Sequence, residues 1–475
     1  MFDVVIIGGG VTGCVLAREL TKYQLDVCVL EKTNDVAGGA SKANSGIVHG
    51  GYDPEPNTLK AEMNIAGVPL LYELAKELNV PCKQNGSMIV AFGKEQEPAI
   101  YELYERGIVN GVKGMSILTG EQARELEPNL STEVSKALLV PSAGIICPYE
   151  LTIASMGNAM DNGATLQRNF EVVKIEKGET YRVYSSVGNV VEGKYVVNCA
   201  GAYSDSVAKM VGDDFFEIIP RAGEYLLLDK LEGNRVKHTI FQVPTKEGKG
   251  ILVTPTVDNN LLTGPTASKV KNAEFKDTTS DGLDIVQRLA LKSVPSVNFR
   301  QVITSFSGVR ASEKNGDFII TASKNNKGFV HCGAIDSPGL TSCVAIAKKV
   351  ISILNEEGLE LKINEKFNGN RKDPHAFKKM TDEQKSEFIK ANPAYGKIVC
   401  RCETVSEGEI IDAIRRNPKA LDVDGVKRRT RSGMGRCQGG FCLPYVMKLL
   451  AQENGVEIDS VTKKGKGSNY TDGEL

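Results

Sequence analysis

The chain has 475 residues, 41% of them apolar, with 58 basic and 59 acidic side chains and a formal charge of −1. That length supports substantial cores in two or three domains, and the balanced charge gives no global pull toward nucleic acid or an anionic membrane. No apolar stretch approaches a membrane span, and the first predicted strand starts at about residue 3 with no room for a secretory leader, so a cytoplasmic protein is expected.

The opening "FDVVIIGGGVTGCVLARELTKYQLDVCVLEK" runs as apolar strand, glycine turn, amphipathic helix, second apolar strand and acidic residue, the order of a dinucleotide-binding unit. Gly8 permits the tight turn, Gly10 lets the backbone approach a pyrophosphate at the helix N-terminus, and Gly13 lets the helix lie close to the strand. Glu31, 18 residues after Gly13, is suited to accept hydrogen bonds from an adenosine ribose. This fingerprint does not separate FAD from NAD.

Next comes "SGIVHGGY", in which His49 sits among flexible glycines where an imidazole could take a hydroxyl proton. The patterns "EYLLLDK" and "GILVTPTVDNNLLTGPT" alternate as strands, and "DGLDIVQRLALKS", residues 281–293, has helical spacing. A polar connector is predicted over 356–396, with a helix at 381–390. The tail "TKKGKGSNYTDGEL" lacks apolar residues to pack, and 456–475 is expected to be disordered.

Between connector and tail stand Cys400, Cys402, Cys437 and Cys442: a C-x-C pair, 34 intervening residues and a C-x4-C pair, with Gly439 and Gly440 letting the backbone turn. Four thiolates suit an iron–sulfur cluster or zinc, and spacing alone leaves both open, although C-x-C is less usual for a closed zinc site. Ser406 and Glu409 form a capping-box pattern. Lys427, Arg428, Arg429, Arg431 and Arg436 crowd the approach to Cys437; with no basic excess elsewhere, they read as cations stabilising an anionic centre. The other seven cysteines lie in apolar or Gly-rich surroundings and read as reduced packing thiols.

The stretches "GGASKANSGIVHGGYDPEPNTLKAEMNIAG", "VVNCAGAYSD" and "HCGAIDSPGLTSC" resemble, in that order, three FAD-contacting segments of the D-amino-acid oxidase-like superfamily of FAD-dependent oxidoreductases, nearest to its glycerol-3-phosphate dehydrogenase and L-2-hydroxyglutarate oxidase groups. "IVCRCETVSEGEI" and "RRTRSGMGRCQGGFC" resemble the BFD-like [2Fe-2S] domain. These resemblances imply an α/β fold: an FAD-binding Rossmann-type (glutathione-reductase-like) domain over 1–80, 145–215 and 300–355, and a mixed-sheet α+β substrate domain over 81–144 and 216–299. After the linker, a small, mainly helical [2Fe-2S] domain is expected over 397–455. They also imply that Ser41, Asn44 and Ser45 line the flavin, that Val173 meets the adenine, and that Ala200 and Gly201 pass beside the cofactor. Gly339, Leu340 and Thr341 would offer backbone groups near the pyrimidine end of the ring. Zinc has no redox chemistry, whereas a [2Fe-2S] cluster takes electrons from a flavin singly, so the flavin resemblance favours the cluster at the four cysteines.

For substrate chemistry the resemblance singles out His49 as base and Arg310, in "SFSGVRASEKNGDFI", as the guanidinium that would hold a carboxylate or phosphate. Tyr225 and Lys249 would come over the flavin from substrate-domain strands. Lys60 matches a motif of the hydroxyglutarate group, and His238 is an alternative base. Glycerol-3-phosphate dehydrogenases often carry an arginine–tyrosine pair shortly after H-G-G, where this chain has Tyr52, Asp53 and Pro54. The domain order nevertheless resembles anaerobic glycerol-3-phosphate dehydrogenase. The implied activity is oxidation of glycerol 3-phosphate, with L-2-hydroxyglutarate or a related 2-hydroxy acid as the alternative substrate and a non-catalytic electron-transfer subunit as a third reading. Electrons would pass from FAD through the cluster to a flavoprotein or quinone-linked partner subunit, in a hetero-oligomer that meets the membrane only through that partner.

Overall fold

The computed structural model describes residues 1–244 and 250–470. The strand Phe2–Ile7 lies between parallel neighbours, Val27–Leu30 and Val190–Asn198. A central parallel strand is covered on both faces, so Val4 to Ile7 form a continuous apolar run instead of alternating. Val4 and Ile6 meet a core shared with helices Val11–Leu20, Pro148–Asp161 and Gly339–Glu356, while Val5 and Ile7 meet Phe170, Val183 and Val207. The eight-stranded sheet is completed by Thr165–Gln167, Phe329–Gly333, Ile319–Ala322 and the antiparallel pair Val172–Lys177 and Tyr181–Ser185. Helix Leu59–Glu77 crosses close to Gly339–Glu356 because Gly67 has no Cβ, which would stand 2.4 Å from the Thr341 carbonyl oxygen.

A second, nine-stranded mixed sheet is covered by the amphipathic helix Ser280–Ser293, as its spacing predicts. Its longest ladder pairs Ile218–Leu228 with Val302–Glu313. The strand Val302–Glu313 therefore belongs to the substrate sheet and not, as its place in the sequence suggests, to the flavin body. Midway along it Gly308 packs against the Ala43 carbonyl, bridging the two.

The C-terminal unit has a short hairpin, Ile398–Cys400 with Val405–Ser406, and three helices, Glu407–Arg415, Val423–Thr430 and Leu443–Asn454, around one apolar core. The Ser406–Glu409 capping box forms in both directions. Segment 356–396 contains helix Asp382–Ala391, and its earlier part lies along the flavin body rather than linking freely: Asn364 N–H donates to the Lys22 carbonyl, and Arg371 pairs with Asp161 at 2.8 Å. The tail is also ordered as far as it is described. Val461 is buried in the C-terminal core, and Asp424 N–H donates to the Lys463 carbonyl, so one apolar side chain and backbone pairing suffice; residues 471–475 lie outside the described residues. Among the described residues no helix is long and apolar enough to cross a membrane.

Candidate active site and cysteine centre

One cavity of about 1550 Å³ runs between the two sheets. It exceeds the roughly 300–1,000 Å³ of most small-ligand clefts, as a two-part cofactor with a substrate beside it requires. At one end the glycine turn has no room for side chains: a Cβ on Gly8, whose φ is 115°, would stand 2.3 Å from the Cys199 carbonyl oxygen, and one on Gly13 would stand 2.1 Å from that of Gly8. Gly13 thus sets helix packing, while Gly8, Gly10, Ala200 and Gly201 line the cavity. Ser41 Oγ accepts from Val11 N–H at 2.8 Å, holding the loop against the helix N-terminus. The Glu31 carboxylate, raised in pKa by burial, accepts from Gly9 N–H and from Thr33 N–H and Oγ, each at 2.8 Å, and borders the cavity where a ribose is expected. These features fit the nucleotide half of FAD.

Lys42 also lines this end, with Lys276 and with Asp424, Lys463 and Lys464 from the C-terminal unit. Burial, and then the nearby Arg428, Lys276 and Lys464, pull its pKa down to about 8, and its ammonium has no carboxylate partner among the described residues. Such a group favours an anion. Val173, expected at the adenine, is 50% exposed and off the cavity; strand alternation turns Val172 inward instead.

At the other end His49 is fixed by its backbone, its N–H donating to Thr341 Oγ at 2.8 Å and its carbonyl accepting from Asn64 at 2.9 Å. Its Nε2 lies 3.2 Å from Ser337 Oγ, a partner invisible to motif reading because 288 residues separate them. Thr341 is fully buried and acts through His49, while Gly339 and Leu340 reach the cavity. Gly339 N–H is already given to the Asp336 carbonyl at 2.6 Å, which leaves the first-turn N–H groups of Leu340 and Thr341 without acceptors inside their helix. Tyr225 stacks on its cross-strand partner Phe306, ring centroids 4.7 Å apart, and its hydroxyl meets Ser45 Oγ at 3.3 Å. Asn44 shapes the same loop by accepting from Gly46 N–H at 2.8 Å.

Arg310 lies directly across the ladder from Arg221, which the sequence reading missed, and both line the cavity. Arg310 Nη1 donates to the Thr266 carbonyl at 3.2 Å, and neither guanidinium has a carboxylate partner among the described residues. Lys60 is different, because Asp336 neutralises it at 2.6 Å. His238, His331 and His375 are engaged by Glu127, Asp213 and Glu150, away from the cavity. Lys249 lies outside the described residues.

The four cysteines form two pairs. Cys402 and Cys437 Sγ are 3.6 Å apart towards solvent; Cys400 and Cys442 are buried and share a hydrogen bond, and Ser432 Oγ lies 3.6 Å from Cys442 Sγ. The Cys442 thiol, followed by backbone N–H groups, brings the Cys400 pKa down to about 5. Two thiolates on one tetrahedral metal, at about 2.3 Å each, stand roughly 3.7 Å apart. Among the described residues no three metal-binding side chains converge on one point, as a single zinc would need. Two pairs suit the two irons of a [2Fe-2S] cluster. Most of the basic run does not surround that centre as expected: Arg428 and Arg429 reach Asp35, and Arg431 reaches Glu403 and Asp258, tying the C-terminal unit to the body, whereas Arg436, next to Cys437, stays 60% exposed with Asp229 at 3.4 Å.

The family FAD dependent oxidoreductase (DAO) matches residues 3–353, and the BFD-like [2Fe-2S] binding domain matches residues 398–452. A glycerol 3-phosphate dehydrogenase of Caloramator mitchellensis is 47% identical over 469 residues, covering 98% of each chain. The human mitochondrial L-2-hydroxyglutarate dehydrogenase is 29% identical, covering 73% of this chain and 87% of that protein. Among solved structures, dithionite-reduced L-alpha-glycerophosphate oxidase from Mycoplasma pneumoniae with FAD bound has a TM-score of 0.74 at 33% identity, covering 78% of this chain and 98% of that one.

Proposed function

The chain belongs to the FAD dependent oxidoreductase family and carries a BFD-like [2Fe-2S] binding domain, and on that premise we propose that it oxidises glycerol 3-phosphate to dihydroxyacetone phosphate and passes the electrons on singly to a partner. The observation that carries the substrate is the pair Arg221 and Arg310, neighbours across a ladder with no carboxylate partner among the described residues. Two adjacent guanidiniums repel each other unless they share a dianion, and a phosphate monoester supplies one. The 47% identical dehydrogenase supports the same substrate.

Arg221 and Arg310 hold the phosphate, which orients the secondary alcohol toward His49. His49 takes the hydroxyl proton at Nε2, the atom Ser337 faces at 3.2 Å. FAD, when bound, supplies the hydride acceptor, and the [2Fe-2S] cluster held by Cys400, Cys402, Cys437 and Cys442 supplies a one-electron carrier. Tyr225, stacked on Phe306, walls the reacting end against water. Lys60, which matches a motif of the hydroxyglutarate group, already has its charge met by Asp336.

The test is anaerobic flavin bleaching of iron-replete protein by glycerol 3-phosphate and by L-2-hydroxyglutarate. Selective bleaching by the phosphate ester supports the proposal, and bleaching by the hydroxy acid alone overturns it.

A further inference from the structure

Phe441 is 87% exposed, beyond any other large apolar side chain among the described residues, and it immediately precedes Cys442. Beside it lie exposed Cys402 and half-exposed Cys437, the outer of the two pairs, with exposed Arg401 and Arg436 each preceding one of these cysteines. In the cysteine loops, 398–404 and 431–444, the one acidic residue is Glu403, which is buried and held by Arg431 and Lys230, each at 2.9 Å. Arg401 has no carboxylate partner among the described residues, and Arg436 keeps a 60% exposed side chain despite Asp229 at 3.4 Å. Lys230 adds a further half-exposed cation at the edge. The outward thiolates thus have exposed cations next to them in the chain and an exposed aromatic ring whose backbone N–H reaches Cys437.

We propose that this face, Arg401, Arg436 and Phe441 around Cys402 and Cys437, docks a small one-electron carrier protein with an acidic rim. The inference rests on the relay reading above and names its partner by charge. An exposed aromatic ring on a face with exposed cations is the pattern of an anchor with steering charges: the ring gains contact on docking, and the cations raise encounter rates and choose the sign of the partner. A lipid surface accepts no electrons, and one ring with few cations is slender support for membrane anchoring. Per alcohol oxidised, two oxidised carrier molecules each gain one electron, and the two protons go to water.

The experiment uses the full-length holoenzyme, glycerol 3-phosphate and, as probe, a purified acidic Rieske-type [2Fe-2S] ferredoxin, whose potential lies above the plant-type range so that the alcohol can reduce it. Reduction of the ferredoxin should be fast at low salt and slow steeply as ionic strength rises. Arg401→Glu should lower the low-salt rate about tenfold, and Phe441→Ala, which alters a solvent-facing side chain, should raise the apparent KM for ferredoxin about tenfold. Both should leave flavin bleaching and the cluster's electron paramagnetic resonance signal unchanged, and Lys174→Glu, on the distant Val172–Lys177 strand, should change nothing. Salt-independent transfer in wild type, or wild-type transfer in both face variants, overturns the proposal. So does loss of wild-type binding to phosphatidylglycerol vesicles in Phe441→Ala with ferredoxin reduction intact. A cluster that stays oxidised after substrate bleaches the flavin, before any ferredoxin is added, overturns the relay itself; a cluster that is reduced but discharged slowly only in the variants supports the docking face.

Discussion

Asp35 and Arg429 meet in a two-pronged ion pair, Nη1 to Oδ2 at 2.7 Å and Nη2 to Oδ1 at 2.8 Å, with both side chains buried; Arg428 adds a third contact at 2.6 Å. Asp35 lies in the loop between Glu31 and Ser41, so the C-terminal unit grips the segment that shapes the nucleotide end of the cavity.

Asp35→Asn should therefore unseat the C-terminal unit. Leaving two arginines buried beside a neutral amide costs about 3 kcal/mol, read as faster proteolysis between residues 356 and 398 and a separated low-temperature unfolding transition. The arginines hold the Asp35 carboxyl far below the usual carboxylate range despite its burial. A depressed carboxylate stabilises the fold above its unfolded pKa of about 3.9 and loses that contribution as pH falls toward its folded value. Wild type should accordingly keep one transition from pH 5 to 8.

Arg221→Ala and Arg310→Ala should each lower kcat/KM for glycerol 3-phosphate roughly 30-fold, from about 2 kcal/mol per lost charge-assisted bond. Because the two share one dianion, the double variant should lose less than the product of the single effects. Steady-state kinetics on all three variants checks this.

Ser337→Ala should slow flavin bleaching about tenfold with little change in KM, because Ser337 steadies the His49 ring and does not hold the phosphate. The pH profile of the bleaching rate should shift with it, which a merely structural serine would not cause.

FAD affinity should fall as pH rises through about 8. Below that value Lys42 is charged even in the empty pocket; above it, binding the anionic cofactor must first recruit a proton. Lys42→Met should weaken binding at pH 7 and flatten the pH dependence, as read by quenching of flavin fluorescence.

Substituting Ser for any of Cys400, Cys402, Cys437 or Cys442 should abolish the two irons per chain, quantified together with zinc, while leaving flavin bleaching by substrate intact. Iron retained at full occupancy in any one variant would remove that cysteine from the ligand set.

Local signals were legible in the sequence where chemistry is local. The glycine turn, Glu31 and the capping box at Ser406 are written in local motifs that the structure brings together; the four cysteines were legible too, but their close pairs, Cys402 with Cys437 and Cys400 with Cys442, cross between the two motifs. Arg221 was not legible, because its meaning comes from register: only pairing of Ile218–Leu228 with Val302–Glu313 sets it beside Arg310. The same pairing moved Val302–Glu313 out of the flavin body. Ser337 became a partner of His49 through packing of distant segments, and the exchange of Val173 for Val172 is a one-residue phase of a two-residue repeat. The basic run was visible, but not its acids, since Asp35 and Asp258 lie far away in the chain.

The cavity that begins at Gly8 is walled at its nucleotide end by Asp424, Lys463 and Lys464 as well. A ribosome making roughly 5–20 residues each second needs tens of seconds to travel between those positions, and the binding fold remains incomplete meanwhile. Flavin capture in the finished form thus waits until the C-terminal unit has been made, and a nascent chain that stalls early should emerge colourless.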